Sequence, residues 1–226
     1  MQERTLSLIG KERYNNLARS RVLVVGIGGV GGYATEMLVR AGVGSITIID
    51  GDKVDETNIN RQIIALRSTV GRDKVDVMRE RIADINPDCT VHAICDRVTA
   101  DNIGDILSTH YDYIIDAIDS VGDKVALITE AKKRNMNIVS AMGAGGKYRN
   151  VSFYIADIYS TKYDKLARKM RRLIKDAGIT SLDVCYSESE SVVCDGVIGS
   201  ISYAPSLAGI TIAQHVICRL MESNND

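Results

Sequence analysis

Apolar positions along the chain change period several times, and the changes mark out alternating strands and helices. Residues 22–25, VLVV, form a short unbroken β-branched run, the pattern of a strand buried on both faces. A helical pattern follows, with Tyr33, Met37 and Leu38 at helical spacing, and it stops at Gly42 and Gly44. Residues 45–49, SITII, are a second buried run. Val75, Met78 and Ile82 share one face of an amphipathic helix over 74–85, halted near Pro87. Further strands are predicted over 90–95, 111–117 and 137–141, with helices over 101–108 and 121–134. This alternation predicts an α/β fold, a Rossmann-like doubly wound and mainly parallel sheet.

Past residue 146 the pattern changes. Residues 151–155 and 184–186 read as short strands that no helix pairs into further crossover units, so antiparallel strands are expected. Between them, 162–175 reads as a helix with Leu166, Met170, Leu173 and Ile174 inside. Residues 187–195 are serine- and acid-rich, which predicts a mobile loop, and 205–220 is a final apolar helix. Leu207, Ile210 and Ile212 on that helix are candidates for core or dimer contacts. At the other end, 11–18 predicts a helix covering the sheet edge, with Arg4 on a flexible segment ahead of it. We read 1–226 as one domain: an arm to residue 20, a nucleotide-binding core over 21–146 and an extension over 147–226.

The chemistry-bearing residues cluster at the ends of the predicted strands. Gly26, Gly28, Gly29 and Gly31 follow the first strand and precede a helix. Such glycines let the backbone approach a phosphate, and the helix N-terminus offers unpaired N–H groups. The second strand ends in Asp50, an acid placed to accept hydrogen bonds from ribose hydroxyls. The loop over 50–62 crowds Asp50, Asp52, Asn58, Asn60, Arg61 and Gln62 at that strand's carboxyl end. Asn60 is read as an ordinary solvated loop residue, whereas the Arg61 guanidinium suits phosphate geometry. Lys74 puts a cation in the first turn of a helix, against the dipole. That is either a plain surface lysine or a conflict of the kind that marks function. Asp116 and Asp119 lie at another strand's carboxyl end, and paired acids facing a triphosphate suit Mg²⁺. Capping of the 121–134 helix is the alternative use, kept for Asp116 and rejected for Asp119. A dinucleotide such as NAD would also suit the glycine turn and Asp50, but would leave Arg61, Lys74 and Asp119 without a task.

Bulk properties narrow the partners. Lys and Arg number 28 against 29 Asp and Glu, so the net charge of −1 announces no polyanionic partner. The local excess at Lys165, Arg168, Lys169, Arg171 and Arg172 is what a nucleic-acid backbone attracts, or simply a solvated helix face. Five scattered cysteines with no CxxC pair argue against a disulfide framework or a four-cysteine zinc site. Cys185 is either a nucleophile or a buried strand residue. No histidine is adjacent to activate it, which favours the second. No apolar run is long enough to span a membrane and residues 1–20 are too polar for a signal peptide, so a cytoplasmic location is expected.

Four motifs in order, GIGGVGG, IIDGDKVDETNINRQ, VGRDKVDVMRERIADINP and IDAIDS, resemble the ubiquitin-activating-type (ThiF/MoeB-like) adenylating enzymes. The resemblance implies ATP binding and adenylation of a carboxylate. It implies Gly29 against the phosphates, with Gly26, Gly28, Asp52, Gln62 and Ser120 in the same nucleotide site. It implies Asp50 on the ribose and Asn58, Arg61 and Lys74 on the triphosphate. Asp119 would organise Mg²⁺, and Arg4 would reach into the site of the other subunit of a homodimer. RTLSLIG, AMGAGGK, YIADIYSTKYDKLARKMRR and VCYSESE resemble one branch more closely, the tRNA threonylcarbamoyladenosine dehydratases. That branch implies ring closure, with loss of water, on the adenosine 3′ of the anticodon. A monovalent cation is a further candidate ion, and a cysteine desulfurase or SufE-like sulfur-transfer protein a candidate partner. The alternative within the family is activation of the C-terminal glycine of a ubiquitin-like sulfur carrier, whose enzymes commonly carry zinc cysteines that are not found here.

Overall fold

The structure, a computed structural model, describes residues 3–222. Helix α1 (Glu3–Arg19) leads into β1 (Arg21–Val25), an interior strand of the sheet. The alternating side chains of β1 feed two cores: Val22 and Val24 pack on one face, Leu23 and Val25 on the other. After β1 come α2 (Gly31–Ala41), β2 (Ser45–Ile49), α3 (Lys74–Ile85), β3 (Thr90–Ile94), the short α4 (Ile103–Ile106), β4 (Tyr113–Asp116), α5 (Val121–Lys133) and β5 (Ile138–Ala141). The extension adds β6 (Tyr154–Asp157), α6 (Lys165–Asp176), β7 (Asp183–Tyr186) and α7 (Tyr203–Glu222).

The strands form one sheet in the order β3-β2-β1-β4-β5-β7-β6. β1 pairs in parallel with β2 and β4, and β4 in parallel with β5. Each βα unit packs its helix against the sheet, which is why β1, β2, β4 and β5 are buried along nearly their whole length. One face holds α2, α3 and α7 through residues such as Leu38, Met78 and Ile212. The other holds α5 and α6 through Leu127, Ile128, Met170 and Ile174.

The extension departs from expectation. β7 runs parallel to β5, and only β6 is antiparallel, pairing with β7 at the sheet edge. A helix does join β5 to β7: α6 buries Ala167, Met170 and Ile174 and so acts as a further crossover element. The intervening β6 hid this in the sequence.

The amino-terminal helix also runs longer than 11–18. It begins at Glu3 and is broken at Gly10 (φ 81°, ψ 165°), so Arg4 sits on a helical segment rather than an irregular arm. The 187–195 segment carries no regular element and is tied to the 143–147 turn. Val192 N–H donates to the Gly146 carbonyl and Lys147 Nζ to the Ser189 carbonyl at 2.6 Å. On α7, Ile212 is core, whereas Leu207 and Ile210 face outward.

Candidate active site

Four strands end at one place. Val25, Ile49, Ala117 and Ala141, at or next to the carboxyl ends of β1, β2, β4 and β5, border a cavity of about 760 Å³. This is where open α/β sheets hold ligands. The glycine turn forms its floor because nothing larger fits: a Cβ on Gly31 would lie 1.8 Å from the Gly26 carbonyl oxygen. A Cβ on Gly29 would meet the Pro205 ring at 2.9 Å, so Gly29 also lets the start of α7 close over the turn. Gly26, Gly28 and Gly29 all line the cavity.

Asp50 is held by the turn itself. Its carboxylate accepts from Ile27 N–H at 2.6 Å and from Asp52 N–H at 2.9 Å, which fixes it at the cavity wall. Lys74 is nearly buried and its Nζ donates to Asp52 at 2.9 Å, with Asp50 at 3.8 Å. The hydrogen bond from Lys74 holds the Asp52 carboxyl below its usual range, and Arg97, 3.0 Å away, adds to the effect. Thus Lys74 is no loose surface lysine: its ammonium is aimed into the cavity and balanced by carboxylates a phosphate can replace.

Arg61 lines the same cavity. Its Nη1 donates to the Thr57 carbonyl and to Asn60 Oδ1, both at 2.9 Å. Asn60 is not merely solvated. It steadies Arg61 and its Nδ2 donates to the Ser200 carbonyl at 3.0 Å, joining the 50–62 loop to the chain ahead of α7. Gln62 is buried at the cavity wall and its Oε1 has no partner among the described residues. An orphaned acceptor there awaits a donor, as a ribose hydroxyl or a nucleobase amine supplies.

Asp119 and Ser120 line the opposite wall, both exposed. Asp116, by contrast, is neither a metal ligand facing the cavity nor a helix cap. It is fully buried, accepting from Lys124 Nζ at 2.7 Å and from Ser140, while its other oxygen takes the Ile118 N–H. Asn58 is not among the cavity-lining residues. Its side chain closes a capping box with Asp55 on the 3-10 turn Glu56–Asn58.

Three expected participants lie elsewhere. Arg4 is exposed and outside the cavity wall. Cys185 is fully buried, with Sγ donating to the Ala208 carbonyl at 3.6 Å, and burial pushes its thiol far up. A thiol so placed is a strand residue, not a nucleophile. On α6, Arg168, Arg171 and Arg172 line a separate hollow, while Lys165 and Lys169 are exposed outside it.

Several wall residues escaped the sequence reading. Asp123 lies four residues after Asp119, a helical spacing that would have found it. Arg97, Leu166, residues 198–200 and Pro205 come from distant segments and carry no local signal. In all, five carboxylates (Asp50, Asp52, Asp96, Asp119 and Asp123) face three cations (Arg61, Lys74 and Arg97). A triphosphate added to that balance needs more positive charge. Asp119, exposed, and Asp123, half-buried, have no ion-pair partner among the described residues and would suit a Mg²⁺ ion that also takes phosphate oxygens.

The ThiF family model matches residues 2–226. The tRNA threonylcarbamoyladenosine dehydratase of Bacillus subtilis is 38% identical over 95% of this chain and 92% of its own length. The crystal structure of E. coli tRNA N6-threonylcarbamoyladenosine dehydratase in complex with AMP superposes with a TM-score of 0.92 at 39% identity, covering 97% of this chain and 93% of that one. The same enzyme in complex with ATP gives 0.91 over the same shares. The chain belongs to the ThiF family, and within it the likeness is to the tRNA threonylcarbamoyladenosine dehydratases.

Proposed function

We propose that this chain is an ATP-dependent dehydratase that cyclises the threonylcarbamoyl group of threonylcarbamoyladenosine in tRNA, on the adenosine 3′ of the anticodon. The observation that carries the reading is the polar cavity at the strand ends, where Arg61, Lys74 and Asp119 converge. The near full-length likeness to a dehydratase crystallised with ATP supports the same nucleotide for that cavity.

The chemistry explains why ATP is required. A free carboxylate is a poor electrophile, because oxide is a prohibitive leaving group. Its oxygen attacks the α-phosphorus of ATP, the bond to pyrophosphate breaks, and an acyl-adenylate forms. A nitrogen of the same modified group then attacks the acyl carbon and AMP departs, carrying one carboxylate oxygen. The nucleoside loses one water in total. Ring closure is intramolecular, so proximity does much of the work and no protein thiol is needed.

The protein's part is electrostatic and positional. The glycine turn and α2 N-terminus receive the phosphates, Asp50 and Gln62 the nucleoside, and Arg61 and Lys74 the charge that builds on the leaving pyrophosphate. Mg²⁺, held by Asp119 with Asp123, would neutralise phosphate charge. The outward Leu207 and Ile210 of α7 support a homodimer, in which Arg4 of a second copy supplies a further cation. The basic face of α6 supports the tRNA reading. No helix among the described residues is long and apolar enough to cross a membrane, and a tRNA substrate supports a cytoplasmic location.

The test is direct. Purified protein with ATP, Mg²⁺ and threonylcarbamoylated tRNA should yield a nucleoside lighter by one water, with AMP formed in equal amount. An unchanged nucleoside from folded, ATP-binding protein refutes it. The sulfur-carrier alternative predicts instead pyrophosphate exchange that depends on a small protein ending in Gly-Gly.

A further inference from the structure

Two hollows lie away from the nucleotide cavity and share one wall, residues 178–180. The larger, about 570 Å³, is lined by Arg168, Arg171, Arg172 and Lys175 of α6, with Tyr159 and Ile179 beside them. The smaller, about 360 Å³, is lined by Lys132 and Lys133 at the end of α5 together with Thr129, Thr180 and Ser181.

The cations in these hollows are poorly neutralised. Among the described residues Arg168, Arg172, Lys175 and Lys132 form no ion pair, and Arg171 donates only to the Thr161 carbonyl. Lys133 reaches Glu130 at 3.8 Å. Gathering six cations in a chain of net charge −1 costs electrostatic energy, offset at Lys133 by Glu130 and at Lys132 by Asp157. Four of the six, Arg168, Arg171, Arg172 and Lys175, line the hollow from one face of α6, and Lys165 continues that face toward the start of the helix.

Placement ties the groove to the reaction. Leu166, in the first turn of α6, lines the nucleotide cavity, and Arg168 to Lys175 line the hollow farther along. A helix of 12 residues is about 18 Å long. One ligand spanning both sites must therefore be extended, and one that is anionic along its length matches what it meets.

We propose that the two hollows form a groove for the sugar-phosphate backbone of an RNA, with Arg168, Arg171, Arg172 and Lys175 on one side and Lys132 and Lys133 on the other as phosphate contacts. The assignment rests on the tRNA dehydratase reading and adds to it the α5 lysines and the path the substrate takes. Arginine forks suit phosphate oxygens, and Thr180 and Ser181 can supply hydroxyl contacts to phosphate or ribose.

The experiment uses the full chain and fluorescently labelled tRNA at several salt concentrations. The variants are R168E/R172E and K132E/K133E, with K11E/R79E as a control carrying the same change in charge. ATP binding by calorimetry reports folding separately. Each groove pair should weaken tRNA binding at least tenfold and flatten the salt slope by about 1–2 relative to the control. KM for tRNA should rise while kcat stays within about threefold. Groove variants that bind tRNA like the control, from a wild type that dehydrates it, overturn this inference and leave the dehydratase reading standing. A wild type that binds no tRNA overturns both. Loss of poly-glutamate binding with tRNA binding intact would assign the groove to an acidic protein and overturn it as well.

Discussion

Lys124 Nζ lies 2.7 Å from Asp116 Oδ2, and both side chains are fully buried. Ser140 completes the group, and the second Asp116 oxygen fixes Ile118 N–H, so one buried carboxylate ties β4, β5 and α5 to the turn that carries Asp119. Asp116→Ala leaves a buried ammonium without its counter-charge. It should cost about 3–5 kcal/mol in urea unfolding, and Asp116→Leu with Lys124→Met should recover much of that loss. A double variant as unstable as the single one would show that the pair matters for more than charge compensation.

Lys74 and Asp119 separate function from stability. Asp119 is exposed and bonds to nothing among the described residues, so Asp119→Ala should shift stability by no more than about 0.5 kcal/mol. Lys74→Ala leaves Asp52 with Arg97 and Asp50 with two backbone N–H groups, so the fold should persist. Each substitution should lower kcat by roughly 100- to 1000-fold, the scale of losing one preorganised charge at a transition state. Steady-state AMP release with circular dichroism on the same samples checks both halves.

Much of this was legible in the sequence, and the failures have physical causes. The strand–glycine–helix start and Asp50 could be read because short-range pattern and chemistry coincide in them, whereas pattern alone left Lys74 open. The antiparallel β6–β7 pair is as expected, but the parallel pairing of β7 with β5 is decided by what lies beside β5, not by three residues of pattern. Asp116 looked like a cap because its partners, Lys124 and Ser140, are 8 and 24 residues away. Arg97 reaches Asp52 only because β3 lies beside β2, and local sequence records nothing of that.

Glu36 gives the fold an acid sensitivity. It is almost fully buried and takes Arg81 Nε at 2.6 Å and Arg81 Nη2 at 3.0 Å, with Arg40 at 2.7 Å, which joins α2 to α3. Burial raises its pKa, but the arginine hydrogen bonds outweigh that and the net shift is downward. A lowered folded pKa means the stabilisation is present above the ordinary glutamate range and lost as pH falls through the folded value. Glu36→Gln should therefore cost about 1–3 kcal/mol at pH 7, moderated by the exposed arginines, and the gap to wild type should close in acid. A gap that is constant from pH 7 to pH 3 in urea unfolding would contradict the assignment.

Cys185→Ala should leave turnover within about twofold of wild type. The buried thiol packs in the core and bridges β7 to the Ala208 carbonyl on α7. Iodoacetamide on native protein should modify the exposed Cys95, Cys194 and Cys218 and spare Cys185. Peptide mass mapping reads the labelling, and a mass-trapped thioester on Cys185 during turnover would contradict the thiol-free route.

The account depends on a carboxylate oxygen passing to AMP. The decisive measurement is a single turnover with threonylcarbamoylated tRNA carrying ¹⁸O in the threonyl carboxylate, followed by mass analysis of the nucleotide released. Adenylation in the cavity at Arg61 and Lys74 predicts one ¹⁸O in the phosphate of AMP for each ring closed. Ring closure with unlabelled AMP, or with ADP released and the label in inorganic phosphate, would contradict it.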